Sequence, residues 1–194
     1  MEQHDLQDYL QADLYRYNGT KATFYFIKAL SPLMPAFRYT YLLRHASVFP
    51  KYSIRGFLYR ILLNHYSYKY GFQITPNTKI GKGLYIGHIG PVVINGLTEI
   101  GENCTLTHLV TIGQANRGER KGCPKIGNRV WIGAGAVVVG KIVIGDNVLI
   151  APNSYVNFDV PSNSIVTGNP AVIKEHANAT EGYISFTFPD GTRT

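Results

Sequence analysis

Residues 126–156 read IGNRVWIGAGAVVVGKIVIGDNVLIAPNSYV, and the repeat within this segment predicts the architecture. An aliphatic residue recurs in it at every sixth position, and glycine follows several of these residues, as in Ile126-Gly127 and Ile144-Gly145. An internal repeat of this strength takes precedence over the prediction of any individual element. The same period extends toward the amino end, so that the aliphatic positions are 74, 80, 86, 94, 100, 106, 112, 126, 132, 138, 144, 150 and 156.

One inward aliphatic side chain and a neighbouring glycine in every six residues suit a short strand followed by a tight bend. Three such units close a triangular coil, and coils stacked about 4.8 Å apart bury a continuous aliphatic column. The repeat therefore predicts a parallel β-helix over residues 72–174. The period breaks twice, by two extra residues between Ile86 and Ile94 and by a loop over residues 113–125.

The chain before residue 72 has a different period. Apolar residues recur there at three- and four-residue spacing, as in Ile54, Leu58 and Ile61, which predicts helices. Pro32, Pro35 and Pro50 interrupt the pattern, so we expect three or four short helices. The predicted organisation is an α-helical N-terminal region at 1–71, the β-helix at 72–174 and a C-terminal tail at 175–194. The tail could cover a groove, pack on a neighbour or remain mobile.

The composition limits the class of protein. The 194 residues favour one domain with a small appendage, and 16% charged and 45% hydrophobic residues exclude a disordered chain or a coiled coil. Two cysteines exclude a disulfide framework. Neither a leader pattern nor a long apolar run is present, so we expect a cytoplasmic protein that does not span a membrane.

The positive charge is concentrated in the helical region. Residues 14–72 contain nine basic side chains, no acidic one, and ten of the 14 tyrosines. Three interpretations remain open: a helical cap with a solvated basic face, peripheral contact with the inner face of an anionic membrane, and nucleic-acid binding. The absence of a nucleic-acid-binding motif argues against the last, so we expect no nucleic-acid partner.

Stacking places four residues of the β-helix in one column. His88 and His108 each lie two residues after an aliphatic position, and Ala134 and Pro152 continue the same offset on later coils. Such a column suits a reactive end followed by a narrow slot for an extended cofactor arm.

Neutral imidazole removes a hydroxyl proton near neutral pH, and such help is worth about 10²–10⁴ in rate. His88 is therefore the candidate general base, the alternative being a structural histidine at a coil corner. His108 could bind an acceptor, support His88 or simply pack.

The cysteine and histidine positions bear on two further kinds of chemistry. Long ordered loops are often functional, and Cys123 lies in the predicted loop. No Cys-His-Asp arrangement accompanies it, which favours a lining or buried thiol over a nucleophile. The six histidines are scattered and show no metal-ligand spacing, so we expect no metal.

From about residue 73 to residue 174, the chain resembles the hexapeptide-repeat acyltransferases, whose β-helix is left-handed. Within that superfamily it is similar to serine acetyltransferases, and more closely to polysaccharide-biosynthesis O-acetyltransferases of the colanic acid and capsule type. The segments that carry the resemblance are Ile86-Gly87-His88, Val92-Val93-Ile94-Asn95, Val110-Thr111-Ile112-Gly113, Cys123-Pro124-Lys125-Ile126-Gly127 and Gly168-Asn169-Pro170-Ala171.

The resemblance implies acetyl-CoA as co-substrate and a homotrimer with active sites between subunits. It implies that His88 deprotonates the acceptor hydroxyl, which then attacks the thioester directly. By the same similarity, the residues expected to border the cofactor are Gly113, Ala134, Ala151, Asn169 and Ala171, with Lys174 near a phosphate, and those expected at the acceptor are Gln73, His108 and Cys123.

The chain departs from serine acetyltransferases where serine would be held. It has Gly87 and Gln73 in place of two aspartates, and Gly122-Cys123 in place of an arginine-histidine pair. A zwitterionic amino acid needs opposed charges to replace its hydration. We therefore expect an O-acetyltransferase acting on a sugar hydroxyl in surface polysaccharide synthesis. The alternatives are serine acetyltransferase of cysteine biosynthesis and a non-catalytic β-helix scaffold.

Overall fold

A computed structural model describes residues 3–19 and 24–188. The N-terminal part is helical, and the three prolines delimit its helices. α2 ends before Pro32, and α3 starts at Pro35, where the missing N–H donor is not needed, and stops before Pro50. The helical elements are a 3₁₀ turn at Gln3–Asp5, α1 at Leu6–Asn18, α2 at Tyr25–Leu30, α3 at Pro35–Val48 and α4 at Ile54–Tyr70.

Both ends of α4 are capped. The Ser53 hydroxyl accepts a hydrogen bond from the Gly56 N–H at 3.0 Å, which satisfies one of the free donors of the first turn. Gly71 ends the helix in the left-handed conformation, with φ of 79°, and its N–H donates to the carbonyl of Ser67. The chain then enters the first strand directly.

The rest of the described chain consists of short strands that stack in three sheets. The strands are β1 at Phe72–Ile74, β2 at Lys79–Ile80, β3 at Tyr85–Ile86, β4 at Val92–Ile94, β5 at Glu99–Ile100, β6 at Thr105–Leu106, β7 at Val110–Gly113, β8 at Lys125–Ile126, β9 at Trp131–Ile132, β10 at Val137–Val139, β11 at Val143–Ile144, β12 at Val148–Ile150, β13 at Tyr155–Val156, β14 at Ser164–Gly168 and β15 at Ala171–Glu175.

Successive strands occupy the three sheets in rotation. The first sheet has the order β1-β4-β7-β10-β13, the second β2-β5-β8-β11, and the third β3-β6-β9-β12-β14-β15. All pairs are parallel except β14 with β15, which form an antiparallel hairpin at the carboxyl end. The architecture is a left-handed parallel β-helix preceded by helices, which confirms the predicted fold.

The repeating aliphatic residues form the core of the β-helix. Every one of the thirteen predicted positions is buried, and several, such as Ile86, Ile112 and Ile150, are fully excluded from solvent. Burial of one such side chain stabilises a fold by about 1.5–3 kcal/mol, so the column supplies much of the driving force. The helices continue this core through Phe37, Tyr39 and other buried side chains.

The tail packs on its own chain as far as the structure describes it. Residues 176–188 run back along the edge where the second and third sheets meet. Thr180 donates to the side chain of Asn147 at 2.7 Å, and Asn103 exchanges two hydrogen bonds with the backbone of Phe188. Between these two contacts, Arg16 of α1 donates to the carbonyl of Ser185 at 3.0 Å. The tail therefore connects the last coil to the N-terminal helices.

Candidate active site

The chain turns between sheets at three corners, which we name by the sheets that they join. The third–first corner consists of residues 87–91, 107–109, 133–136 and 151–154, the first–second corner of residues 75–78, 95–98, 114–124 and 140–142, and the second–third corner of residues 81–84, 101–104, 127–130 and 145–147.

Strand register brings the predicted column together at the third–first corner. Ile86 pairs with Leu106, Leu106 with Ile132, and Ile132 with Ile150. The residues two positions further on therefore lie one above another, in the order His88, His108, Ala134 and Pro152. The two imidazole centroids are 5.5 Å apart and their planes stand at 88°. The stacking predicted from the hexad period is confirmed.

The local sequence explains why both rings fit. The two extra residues between Ile86 and Ile94 lengthen this corner on the first coil. Gly90 within it has φ of 144°, and a β-carbon there would lie 3.1 Å from Cβ of His108. Glycine at position 90 thus leaves room for the His108 ring on the next coil. The His88 side chain is exposed at the surface of this corner.

Few described groups interact with the two imidazole rings. Within residues 3–19 and 24–188, the His88 side chain forms no hydrogen bond or ion pair, and its ring contact is with His108. Nδ1 of His108 is buried and has no hydrogen-bond partner among the described residues. Because no carboxylate engages either imidazole there, a ring nitrogen of His88 is open to a hydroxyl from outside the chain. The geometry suits proton removal from an alcohol.

Small side chains follow the histidines along the same edge. Ala134 and Ala151 are half-buried, and Pro152 is exposed. The β14–β15 hairpin closes this end of the β-helix, with Gly168 opposite Ala171, Asn169 in the connecting turn, and the exposed Lys174 opposite Ile165. An extended ligand arm could lie along this strip against backbone groups, and an anionic end could reach the lysine.

Two predicted site residues lie at a different corner. Gly113 ends β7, and Cys123 follows in the loop of the first–second corner, at the opposite edge of the first sheet from His88. The Ala115 and Gly122 backbones pair within this loop, each N–H donating to the other carbonyl at 3.0 Å. The Cys123 Sγ lies 4.0 Å from the Gln114 side-chain oxygen. Burial raises the pKa of the Cys123 thiol, which disfavours a nucleophilic thiolate.

Gln73 occupies a third location, between these two edges. It is exposed on β1 and faces a groove of about 840 Å³ between α4 and the first sheet. Arg60, Asn64 and Asn95 line the same groove and are not among the predicted site residues. The i, i+4 spacing of Arg60 and Asn64 on a predicted helix could have indicated that both side chains lie on one face of it. Within one chain, the predicted acceptor residues Gln73, His108 and Cys123 therefore lie apart from one another.

Within residues 3–19 and 24–188, no group of three or more His, Cys, Asp or Glu side chains is arranged to hold a metal ion. The histidine pair lies in a corner without acidic residues.

Comparison with known proteins places the repeat in a family. Residues 123–157 match the profile of the bacterial transferase hexapeptide (six repeats). A serine acetyltransferase of Helicobacter pylori is 46% identical over 101 residues, which are 52% of this chain and 59% of the relative. The chain thus spans about three fifths of the length of that curated relative.

Solved structures extend the likeness to most of the chain. The soybean serine acetyltransferase apoenzyme has a TM-score of 0.73 and 31% identity, covering 88% of this chain and 69% of the soybean chain. The serine acetyltransferase of Brucella abortus strain S19 in complex with coenzyme A has a TM-score of 0.70 and 29% identity, covering 91% of this chain and 69% of the Brucella chain. Fold, repeat and sequence agree, and the chain belongs to the hexapeptide-repeat acetyltransferases.

Proposed function

We propose that this chain is an acetyl-CoA-dependent O-acetyltransferase with His88 as the general base. The observation that carries the proposal is the exposed imidazole of His88, which meets the His108 ring edge to face at the head of a strip of small residues. Acetyl-CoA supplies a thioester whose carbonyl carbon accepts the attacking oxygen and whose sulfur leaves as a thiolate. His88 takes the hydroxyl proton as the new C–O bond forms, and the resulting imidazolium returns a proton to the leaving sulfur.

The cofactor would lie along the third–first corner. Ala134 and Ala151 would border the pantetheine arm through their backbones, Asn169 and Ala171 would border its far end, and Lys174 would meet a phosphate. The half-buried small residues leave the space that this arrangement needs. The coenzyme A complex of the Brucella abortus relative supports the choice of co-substrate.

A homotrimer would complete the site. Gly113 borders the first–second corner and Cys123 lies in it, whereas the histidines lie at the third–first corner of the same chain. If the first–second corner of one subunit faces the third–first corner of its neighbour, both sets of residues border one groove. We therefore propose active sites between subunits, with Gly113 near the cofactor and Cys123 near the acceptor of the adjacent chain.

L-serine is the acceptor that the comparisons favour. The relative and the two solved structures described above are serine acetyltransferases. The sequence-based expectation of a sugar hydroxyl in surface polysaccharide synthesis finds no support in them, and serine replaces it as the proposed acceptor. Gln73 and His108 would then contact serine, and the reaction would take place in the cytoplasm.

One observation favours a second acceptor class. The third–first corner contains no Asp or Glu, and Gly87 and Gln73 stand where serine acetyltransferases carry aspartates. An ammonium group brought to this corner would lose hydration without gaining a charged partner from it. A neutral hydroxyl compound, such as a free sugar, carries no such cost.

Thiol release from acetyl-CoA by the purified protein tests both candidates. L-serine and a set of neutral sugars are supplied separately. His88→Ala is the test variant, and His176→Ala, which changes an exposed histidine of the tail, is the matched control. We expect serine-dependent release that falls by about 10²–10⁴ in His88→Ala and is unchanged in the control. Release with sugars alone would establish the second candidate. Absence of release with every acceptor would favour the non-catalytic scaffold.

A further inference from the structure

α4 has apolar side chains on two opposite faces. Gly56, Leu63 and Tyr70 are buried at seven-residue spacing, where the helix packs on α3 and β1. The other face also has apolar residues at helical spacing, but these point to solvent and are 46% to 81% exposed: Ile54, Phe57, Leu58, Ile61 and Leu62. A stripe with this spacing ordinarily faces a core, so its exposure calls for a partner.

Exposed cations flank this stripe. Lys51 and Arg55 lie at the amino end of α4, and Lys69 lies in its last turn. Each stands beside an aromatic ring, with Arg55 5.8 Å from the centroid of Phe49 and Lys69 5.9 Å from that of Tyr66. No Asp or Glu occurs between residues 14 and 72. We call the five exposed apolar residues and these three cations the outer face of α4.

A second exposed apolar group adjoins this helix. Phe26, Ile27 and Leu30 of α2 are each about 60% exposed. Arg38 ties the end of α2 to the end of α4, because its guanidinium donates to the carbonyl of Leu30 at 2.8 Å and to the Tyr70 hydroxyl at 3.1 Å. The helices are therefore held as one unit while both of these apolar groups remain uncovered.

We propose that the outer face of α4 lies on an anionic phospholipid surface. An interfacial helix binds through apolar side chains inserted about 5–10 Å into the boundary and through cations that meet acidic headgroups. The outer face has both components. Within the described residues, no helix is both long enough and apolar enough to cross a bilayer.

Charge favours lipid over a second copy of the chain. Two copies joined through the same face would bring Arg55 and Lys69 toward like charges, with no acidic residue of these helices to compensate. An anionic bilayer supplies the missing negative charge. The apolar centre of the face distinguishes it from a phosphate-binding surface of the nucleic-acid type, in which cations dominate.

Vesicle co-sedimentation of the full chain tests the proposal. One set of vesicles contains equal parts of phosphatidylglycerol and phosphatidylcholine, and the other contains phosphatidylcholine alone. Leu58→Glu/Ile61→Glu is the test variant. Leu97→Glu/Val143→Glu is the matched control, because it makes the same change of charge at two exposed apolar residues of the β-helix that are 76% and 56% exposed.

We expect the unmodified protein to bind the anionic vesicles, with weaker binding to the neutral ones and at high salt. The test variant should lose about a hundredfold or more in partition coefficient, and the control should stay within about twofold. Arg55→Gln/Lys69→Gln should lose roughly tenfold. His88→Ala should bind like the unmodified protein, so failure of the proposed catalysis is distinguishable from failure of this proposal.

Three results would overturn the proposal. The first is recovery of the unmodified protein in the supernatant of anionic vesicles. The second is an equal loss of binding in the test and control variants. The third comes from sedimentation velocity without lipid. If Leu58→Glu/Ile61→Glu lowers the oligomeric mass while vesicle binding is absent, the outer face joins copies of the chain instead.

Discussion

Arg44 and Asp13 form a buried ion pair that fastens two helices to the first coil. The Nε of Arg44 lies 2.9 Å from Oδ2 of Asp13, and both side chains are almost fully buried. The same guanidinium donates to the carbonyls of Ile80 and Gly81, each at 2.7 Å. Asp13 Oδ1 accepts a hydrogen bond from the Leu84 N–H at 2.8 Å. α1, α3 and the first coil therefore share one polar network.

Removal of one partner of this pair should destabilise the fold strongly. Arg44→Met leaves the Asp13 carboxylate buried without its cation, and we expect the free energy of unfolding to fall by about 3–5 kcal/mol. Urea unfolding followed by circular dichroism measures the change. Lys79→Met is the control, since it breaks the exposed Lys79–Glu99 pair and should cost less than about 1 kcal/mol. Similar losses in both variants would refute the assigned role.

A carboxylate introduced beside His88 should improve serine acetylation. Gly87 does not have a positive φ, and a β-carbon there would lie 3.4 Å from the Tyr85 ring, which is ordinary contact. Gly87→Asp therefore fits and offers the serine ammonium a charged partner. We expect kcat/KM for L-serine to rise about tenfold, mainly through a lower KM.

The uncharged variant Gly87→Asn separates charge from shape. Steady-state thiol release with varied L-serine gives KM and kcat for both variants. The prediction fails if Asn improves serine use as much as Asp does, or if Asp lowers kcat/KM.

The tail should control the environment of the protein's one tryptophan. Trp131 on β9 meets Tyr183 of the tail edge to face, with centroids 4.9 Å apart. Tyr183→Ala should shift the emission of Trp131 to longer wavelength, increase its quenching by acrylamide and cost about 0.5–1.5 kcal/mol of stability. Tyr155→Ala, on the first sheet, is the comparison variant and should leave the spectrum unchanged. An unaltered spectrum in Tyr183→Ala would mean that the tail does not cover Trp131 in solution.

The two cysteines should differ in reactivity. Burial raises the pKa of Cys104 to about 12, and its thiol donates to the carbonyl of Gly127 at 3.2 Å. With that pKa, about one thiol in ten thousand is ionised at pH 8. Cys123 is half-buried, and burial raises the pKa of its thiol above the ordinary value.

Because the thiolate is the reactive form, iodoacetamide at pH 8 should label Cys123 while Cys104 stays unmodified until the protein unfolds. Labelling of Cys123 should accelerate as the pH rises, since the thiolate fraction grows. Mass spectrometry of the digested protein, with and without urea, reports each site. Equal labelling rates in the native protein would contradict the burial of Cys104.

Much of the β-helix was predictable from the chain alone. In a stacked coil, the number of residues from one aliphatic position to another fixes their relation in space, so the column from His88 to Pro152 followed from counting. The register of β3, β6, β9 and β12 agrees with that count. Pro35 and Pro50 similarly delimit α3, because a proline without an N–H donor disrupts a helix interior.

Contacts between residues that no repeat connects could not be predicted from the sequence. Asp13 and Arg44 are 31 residues apart and belong to different helices, so no period connects them. The side chains of Arg60 and Asn64 lie beside Gln73 only because α4 packs against the first sheet. The path of the tail depends on hydrogen bonds to Asn103 and Asn147, which belong to separate coils.

Spacing along the chain predicted the coil, the buried column and the position of His88 next to His108 on adjacent coils. Spacing alone did not predict which stripe of α4 is buried, because both recur at helical spacing and only packing against α3 and β1 selects one. The placement of Cys123 and His88 at opposite edges of the first sheet likewise followed only from the folded chain. That separation is a property of the triangular cross-section, in which consecutive corners face different directions.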